Sequence, residues 1–330
     1  MNRLLLIVFA CGLSAQALCT SLEPDPAKLR LMSANALVFD AAAQRPIYAK
    51  AADEVTPIAS LTKLMTAMVV LDAGQPDDEV IAVQNEDFDF LKGSRSRLRM
   101  GTMLARREML RLALMSSENR AASSLARHYP GGTPAFVAAM NAKAAALQMT
   151  STHYVDATGL SADNVSTAND LARLVQAAAT YPLIREFSTT PEHFVEVPTG
   201  RWLTFNNSNA LVKSQSWDIQ LQKTGYIREA GRCLVMLTTI AARPFVIVLL
   251  DSNGKYTRLG DAQRVKRWLE TGEASIPVSG AASQRYHGSF PPRHREVVRI
   301  TFSPNAARGG VYAVKLTQAK PRTKSSKHRV

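Results

Sequence analysis

A chain of 330 residues is long enough for about two ordinary domains and a sizeable core. Hydrophobic residues make up 46 % and charged residues 20 %, which excludes a disordered chain, and three cysteines are too few for a disulfide scaffold. The formal charge of +13 is not spread evenly: residues 276–330 hold eleven Lys or Arg against the single acid Glu296, so the first 275 residues carry only +3.

The chain opens with basic Asn2-Arg3, an apolar run from Leu4 to Leu13 too short to span a bilayer comfortably, and the small-residue stretch Ala15-Gln16-Ala17. This predicts a secretory signal over residues 1–17, removed on export to the periplasm; a buried strand or helix is the plainer alternative. Strands are expected over Asn35–Asp40 and Ile47–Ala49, around a Gln44-Arg45-Pro46 turn. A strongly apolar helix follows from Ser60 to Asp72, ended by Gly74 and Pro76. Residues 105–150 read as several packed helices, broken at Ser116–Asn119 and at Pro130–Gly132. Ser166 or Thr167 can cap another helix, with Asp170 placed to suit its dipole. After Pro198 the texture turns to strands, over Trp202–Phe205, Trp217–Lys223, Cys233–Ile240 and Phe245–Leu250, and Asp261–Glu270 forms a last helix. Strands at both ends with helices between predict an α+β fold whose terminal strands share one antiparallel sheet.

Three short motifs carry chemistry. Ser60-Leu61-Thr62-Lys63 is S-x-x-K at a helix start, where the spacing sets serine and lysine on one face. A serine becomes a nucleophile when a base takes its proton, and a lysine can be that base if burial or another cation depresses its pKa. A second match, Ser252-Asn253-Gly254-Lys255, lies in a polar turn and reads as a solvated loop. Ser117-Glu118-Asn119 is S-x-N at a break between helices, for which a capping serine and a turn asparagine are the plainer reading. Lys223-Thr224-Gly225 is K-T-G at the end of an expected strand, its glycine suited to close approach by a substrate backbone; a strand-end turn with a solvated lysine is the alternative. Each is weak alone. In this order, 57 and 106 residues apart, on helix, inter-helix loop and strand, they form the set of active-site-serine penicillin-binding proteins and β-lactamases.

Further stretches extend the likeness. Asp156-Ala-Thr-Gly159-Leu160-Ser161, Asn164 to Ala172, Phe205-Asn206-Asn207-Ser208-Asn209 and Glu229 to Val235 resemble the D-alanyl-D-alanine carboxypeptidase family of low-molecular-mass penicillin-binding proteins. Ser116 to Ala122, His128-Tyr129-Pro130-Gly131-Gly132 and Ser188 to Phe194 resemble its D-alanyl-D-alanine endopeptidase branch, the penicillin-binding protein 7 type. The resemblance implies a β-lactamase/transpeptidase-like fold, an antiparallel sheet flanked by helices with an all-helical subregion, over a catalytic domain at 18–275. It implies a Ser60 acyl-enzyme, with Lys63 accepting the serine proton, Ser117 relaying it to the leaving amine, and Asn119 binding substrate backbone and orienting Lys63. Lys223 and Thr224 would meet the substrate carboxylate, and Lys223 would also help depress the pKa of Lys63. Backbone N–H groups of Ser60 and Tyr226, next to Gly225, would form the oxyanion hole. Which group moves each proton stays open.

The implied substrates are peptidoglycan stem peptides and their D-alanyl cross-links, with β-lactams as inhibitors and no cofactor. No Glu-x-x-Leu-Asn pattern of the kind class A β-lactamases use to deacylate is present, so penicillin is expected to acylate Ser60 and leave slowly. The six histidines (128, 153, 193, 287, 294 and 328) lack metal-ligand spacing, so no metal is expected. Residues 276–330 read as a basic, partly disordered extension, either simply solvated or adhering to an anionic envelope surface. Nucleic acid is not an expected partner for an exported chain without interleaved aromatics. Two alternatives to cross-link hydrolysis stand beside it: a carboxypeptidase trimming uncross-linked stem peptides, and a catalytically silent wall-binding protein.

Overall fold

The computed structural model describes residues 24–197 and 200–274. The leader over 1–17, the domain boundaries beside it and at 275/276, and the basic tail lie outside them. The chain begins with strands β1 (Asn35–Asp40), β2 (Arg45–Lys50) and β3 (Thr56–Pro57), then helix α1 (Thr62–Asp72) and the short strands β4 (Val80–Ala82) and β5 (Met103–Ala105). Helices α2 (Arg106–Met115), α3 (Asn119–Arg127) and α4 (Gly132–Ala146) follow, then β6 (Val165–Ser166), α5 (Ala168–Ala178) and α6 (Pro182–Thr189). The last part contains β7 (Glu192–Val197), β8 (Arg201–Asn206), β9 (Asp218–Ile227), β10 (Gly231–Ile240), β11 (Arg243–Ser252) and α7 (Thr257–Thr271).

The main sheet has the order β2-β1-β11-β10-β9, antiparallel throughout, so strands from the two ends of the chain pair at its centre. The fold is α+β, as expected. Central strands of such a sheet are apolar on both faces when both faces are covered. On β11, Phe245, Ile247 and Leu249 point into one core with Trp268 and Val265 of α7, while Val246, Val248 and Leu250 point into the other, shared with the remaining helices. Helix α1 is buried all round: every residue from Thr62 to Val70 is inside, and it touches α2, α3, α4 and α5. Any polar group it carries is therefore desolvated.

Several expectations shift by a few residues for identifiable reasons. Strand β2 begins at Arg45, not after Pro46, because the Asp40 carboxylate accepts the Ala42 and Ala43 amides, each at 2.9 Å, and closes the turn earlier. Strand β7 lies before Pro198, where no strand was expected; only Val195 and Val197 of it are buried, so its apolar signal is thin. K-T-G does not end its strand, since β9 runs to Ile227 and pairs with β10 through Gly231. Ser252 is buried, with its hydroxyl 2.7 Å from that of Ser33, and is not part of a solvated loop. Thr167, not Ser166, caps α5, its hydroxyl accepting the Asp170 amide.

Candidate active site

Ser60 lies two residues ahead of α1, in a 3-10 turn over Ala59–Leu61 that leads into the helix. Residues three apart eclipse in such a turn, so the spacing to Lys63 holds although the helix starts two residues later than expected. Lys63 Nζ lies 3.0 Å from Ser60 Oγ and donates to Asn119 Oδ1 at 2.7 Å and to the Thr158 carbonyl at 2.6 Å. The serine is half-buried and the lysine wholly buried. Burial pulls Lys63 down to about 7, against the opposing influence of Asp156, Glu118 and Asp89.

The segment from Asp156 to Asn164 positions this turn. Asp156 Oδ1 accepts the Thr158 and Gly159 amides and Oδ2 accepts that of Ser161, a tight loop that aims the Thr158 carbonyl at Lys63. Gly159 has φ +78°, and a Cβ there would stand 1.9 Å from the Ala59 carbonyl oxygen, so only glycine permits the approach. Asn164 donates to Thr62 Oγ1, and its own carbonyl accepts the Ile58 amide. Ala59 is held at φ +48° between these contacts. It shares this sparsely populated region with Ser117, at φ +62° in the corner between α2 and α3. That corner is capped by Glu118, whose side chain accepts the Arg120 amide, so the capping residue is the glutamate rather than Ser117.

Strand β9 forms the opposite wall. Gly225 lies against the nucleophile's own turn: a Cβ there would lie 2.9 Å from the Ile58 carbonyl oxygen and 3.2 Å from the Ser60 nitrogen. Tyr226 follows, exposed and with Arg232 against its ring. Thr224 Oγ1 donates to Ser208 Oγ, and the Ser208 amide donates to the Met115 carbonyl, which ties the strand to the end of α2. Lys223 is fully buried, donating to the Thr224 carbonyl. Burial lowers its pKa well below the ordinary lysine range, and the charges of Lys63 and Arg258 lower it further. Desolvation is the largest influence on Lys63, and the charge coupling between the two lysines acts on Lys223.

The structure thus unites Ser60, Lys63 and Asn119 by direct hydrogen bonds and sets Gly225 beside the Ser60 turn. The Ser117 hydroxyl has no hydrogen-bond partner among the described residues. Four contributors were not singled out in the sequence: Thr158, Ser94, Glu118 and Arg258. The last donates from Nη1 to the Gly225 carbonyl. Ser94 and Thr158 act through a hydroxyl and a carbonyl that many residues could offer, so only the fold reveals them. Among the described residues no carboxylate lies within ion-pairing distance of Lys63 or Lys223, and no group of His, Cys, Asp and Glu is arranged to hold a metal.

In its neutral form Lys63 has two N–H bonds and one lone pair. The Asn119 and Thr158 carbonyl oxygens can only accept, so they take both protons and leave the lone pair facing Ser60 Oγ. The arrangement can draw a proton from the serine, and the unpaired Lys223 can receive an anion.

Over 288 residues the chain is 50 % identical to a D-alanyl-D-alanine endopeptidase of Pseudomonas aeruginosa, spanning 85 % of this chain and 93 % of that one. It is 46 % identical over 280 residues to a D-alanyl-D-alanine endopeptidase of Escherichia coli, spanning 84 % and 90 %. Among solved structures it resembles penicillin-binding protein D2 of Listeria monocytogenes in its ampicillin-bound form, with a TM-score of 0.62 and 28 % identity over 72 % of this chain and 96 % of that one. The D-alanyl-D-alanine carboxypeptidase family model matches residues 22–254. The chain belongs to this family of serine peptidases.

Proposed function

We propose that the protein is an exported DD-peptidase that hydrolyses D-alanyl cross-links in peptidoglycan through an acyl-enzyme on Ser60. The observation that carries this reading is the buried Lys63, pulled down to about 7 and 3.0 Å from Ser60 Oγ. Neutral Lys63 takes the serine proton as Oγ attacks the D-alanyl carbonyl. The oxyanion is received by the backbone N–H groups of Ser60 and Tyr226. The C–N bond then breaks, and the amine leaves with a proton passed from Lys63 through Ser117. Water hydrolyses the ester in a second, reversed half-reaction that returns free Ser60. Lys223 and Thr224 hold the carboxylate beside the scissile bond; burial penalises the charged form of Lys223, and an anionic ligand would offset that penalty.

The names of the two relatives, both endopeptidases, support cross-links rather than free stem peptides as substrate. Ampicillin is bound by the Listeria relative, which supports acylation of Ser60 by penicillins here. Without the Glu-x-x-Leu-Asn glutamate the penicilloyl ester should persist. Export rests on the leader at 1–17, and the basic tail is proposed to hold the enzyme at an anionic envelope surface. Fluorescent penicillin tests the reading. Native protein should acquire one stable covalent label located at Ser60, and Ser60→Ala none; labelling that survives Ser60→Ala would refute it.

A further inference from the structure

The buried end of the Asn119 amide is engaged as fully as the end that meets Lys63. Its Nδ2 donates to Ser94 Oγ at 2.8 Å. Ser94 in turn is held by Asp89: the amide of Ser94 donates to Asp89 Oδ2 at 2.8 Å, and its hydroxyl also bonds this carboxylate. Asp89 Oδ1 accepts the Leu91 and Lys92 amides, so one carboxylate closes the whole turn. Burial on its own would raise the Asp89 carboxyl. The hydrogen bonds from Ser94, Lys92 and Leu91 outweigh it and hold the group below the ordinary carboxylate range. The segment after the turn is latched to α3 as well, where Arg120 Nη1 donates to the Leu98 carbonyl at 2.5 Å and Glu118 accepts the Arg97 amide.

These bonds form one chain, Lys63 to Asn119 to Ser94 to Asp89, and it has only one self-consistent direction. An ionised carboxylate can only accept, so the Ser94 proton goes to Asp89. The Ser94 oxygen is then free to accept, and among the described residues the donor facing it is the Asn119 NH2. The amide oxygen must therefore face Lys63. A flipped amide would present N–H to Lys63, would be repelled by the ammonium form and would occupy the lone pair of the neutral form. Either way Ser60 would lose its base.

We propose that Asp89, acting through Ser94, is a positioning device that fixes the polarity of the Asn119 amide and so aims the Lys63 lone pair at Ser60. The inference rests on the acyl-enzyme reading above. It adds two residues to that reaction, neither of which touches substrate or the reacting atoms.

The test measures single-turnover acylation of the full chain by fluorescent penicillin in four variants. Ser94→Ala should slow acylation about tenfold, the scale of one hydrogen bond in a buried network. Ser94→Thr, which keeps the hydroxyl, should restore most of the rate. Asn119→Ala should be slower still, and adding Ser94→Ala to it should change nothing further, because the residue being positioned is gone. Melting temperatures of all four establish that the proteins are folded. The proposal is overturned if Ser94→Ala acylates like the native protein, if Ser94→Thr falls as far as Ser94→Ala, or if the tenfold loss persists in the Asn119→Ala background. Native protein that fails to label at Ser60 refutes the acyl-enzyme reading and this inference with it. A labelled native protein with an unaffected Ser94→Ala refutes the inference alone.

Discussion

Raising the pH from 5 to 9 should increase the base available to Ser60 about a hundredfold, and acylation should climb along a limb with its half-point near 7. The reason is the state of Lys63, whose burial brings it down to about 7. At that value the neutral fraction is ~1 % at pH 5, half at pH 7 and ~99 % at pH 9. An ordinary lysine near 10.5 would be neutral in only about one molecule in three thousand at pH 7, so desolvation supplies roughly a thousandfold in available base. The assay is the single-turnover rate of fluorescent penicillin attachment across the pH range. Glu118→Gln should move the half-point to lower pH, since Glu118 is one of the acids that hold Lys63 up. Lys63→Arg should abolish the limb together with the activity. A native rate that climbs tenfold per pH unit to pH 10 without levelling would refute the reasoning, because it would mean that Lys63 titrates as a solvated lysine.

The same desolvation makes a stability prediction. The folded-state pKa of Lys63 lies below its unfolded value, so the unfolded chain binds more protons and stability rises with pH between about 7 and 10.5. The full cost, about 5 kcal/mol, is felt below pH 7, and Lys63→Met should raise the melting temperature more at pH 6 than at pH 10. Gly225→Ala should slow acylation on the order of a hundredfold, because its Cβ would displace the Ser60 turn; a native rate would contradict the proposed packing. Asp87, buried under α3, accepts from Arg127, Ser123 and Ser124, and Asp87→Asn should cost about 3 kcal/mol by denaturant titration. Burial raises the Asp87 carboxyl, but these bonds and that of the Gln84 amide outweigh it and lower its pKa. Its contribution is therefore present above an unfolded value near 4 and lost as the pH falls through the folded one. Cys233 is buried with its thiol pushed up to about 12, so mass spectrometry should find it unalkylated at pH 8 until the chain is unfolded.

What could be read from the sequence follows from how local each signal is. The apolar run of α1 announced a buried helix, and with the S-x-x-K spacing it placed a lysine in the core beside a serine. The strands at both ends were legible because their residues are apolar on successive positions, as a sheet covered on both faces requires. Strand β7 escaped because half of it faces outward and its two buried valines fit several readings. The contact of Gly225 with the Ile58–Ser60 turn was not legible because K-T-G shows only that something comes close, and that turn is distant in sequence. Burial was one of two causes the sequence offered for a lowered Lys63, and only the helices packed around α1 give it its weight. Ser94 and Asp89 carried no motif at all. Their part in the site exists only once the turn of residues 89–94 is folded against α3.

The most direct test of the central claim is digestion of purified cross-linked muropeptide dimers by the native chain and by Ser60→Ala. The account predicts that native protein converts dimers to monomers and that Ser60→Ala leaves them intact. Release of terminal D-alanine without cleavage of the dimer would contradict it and would make the protein a carboxypeptidase.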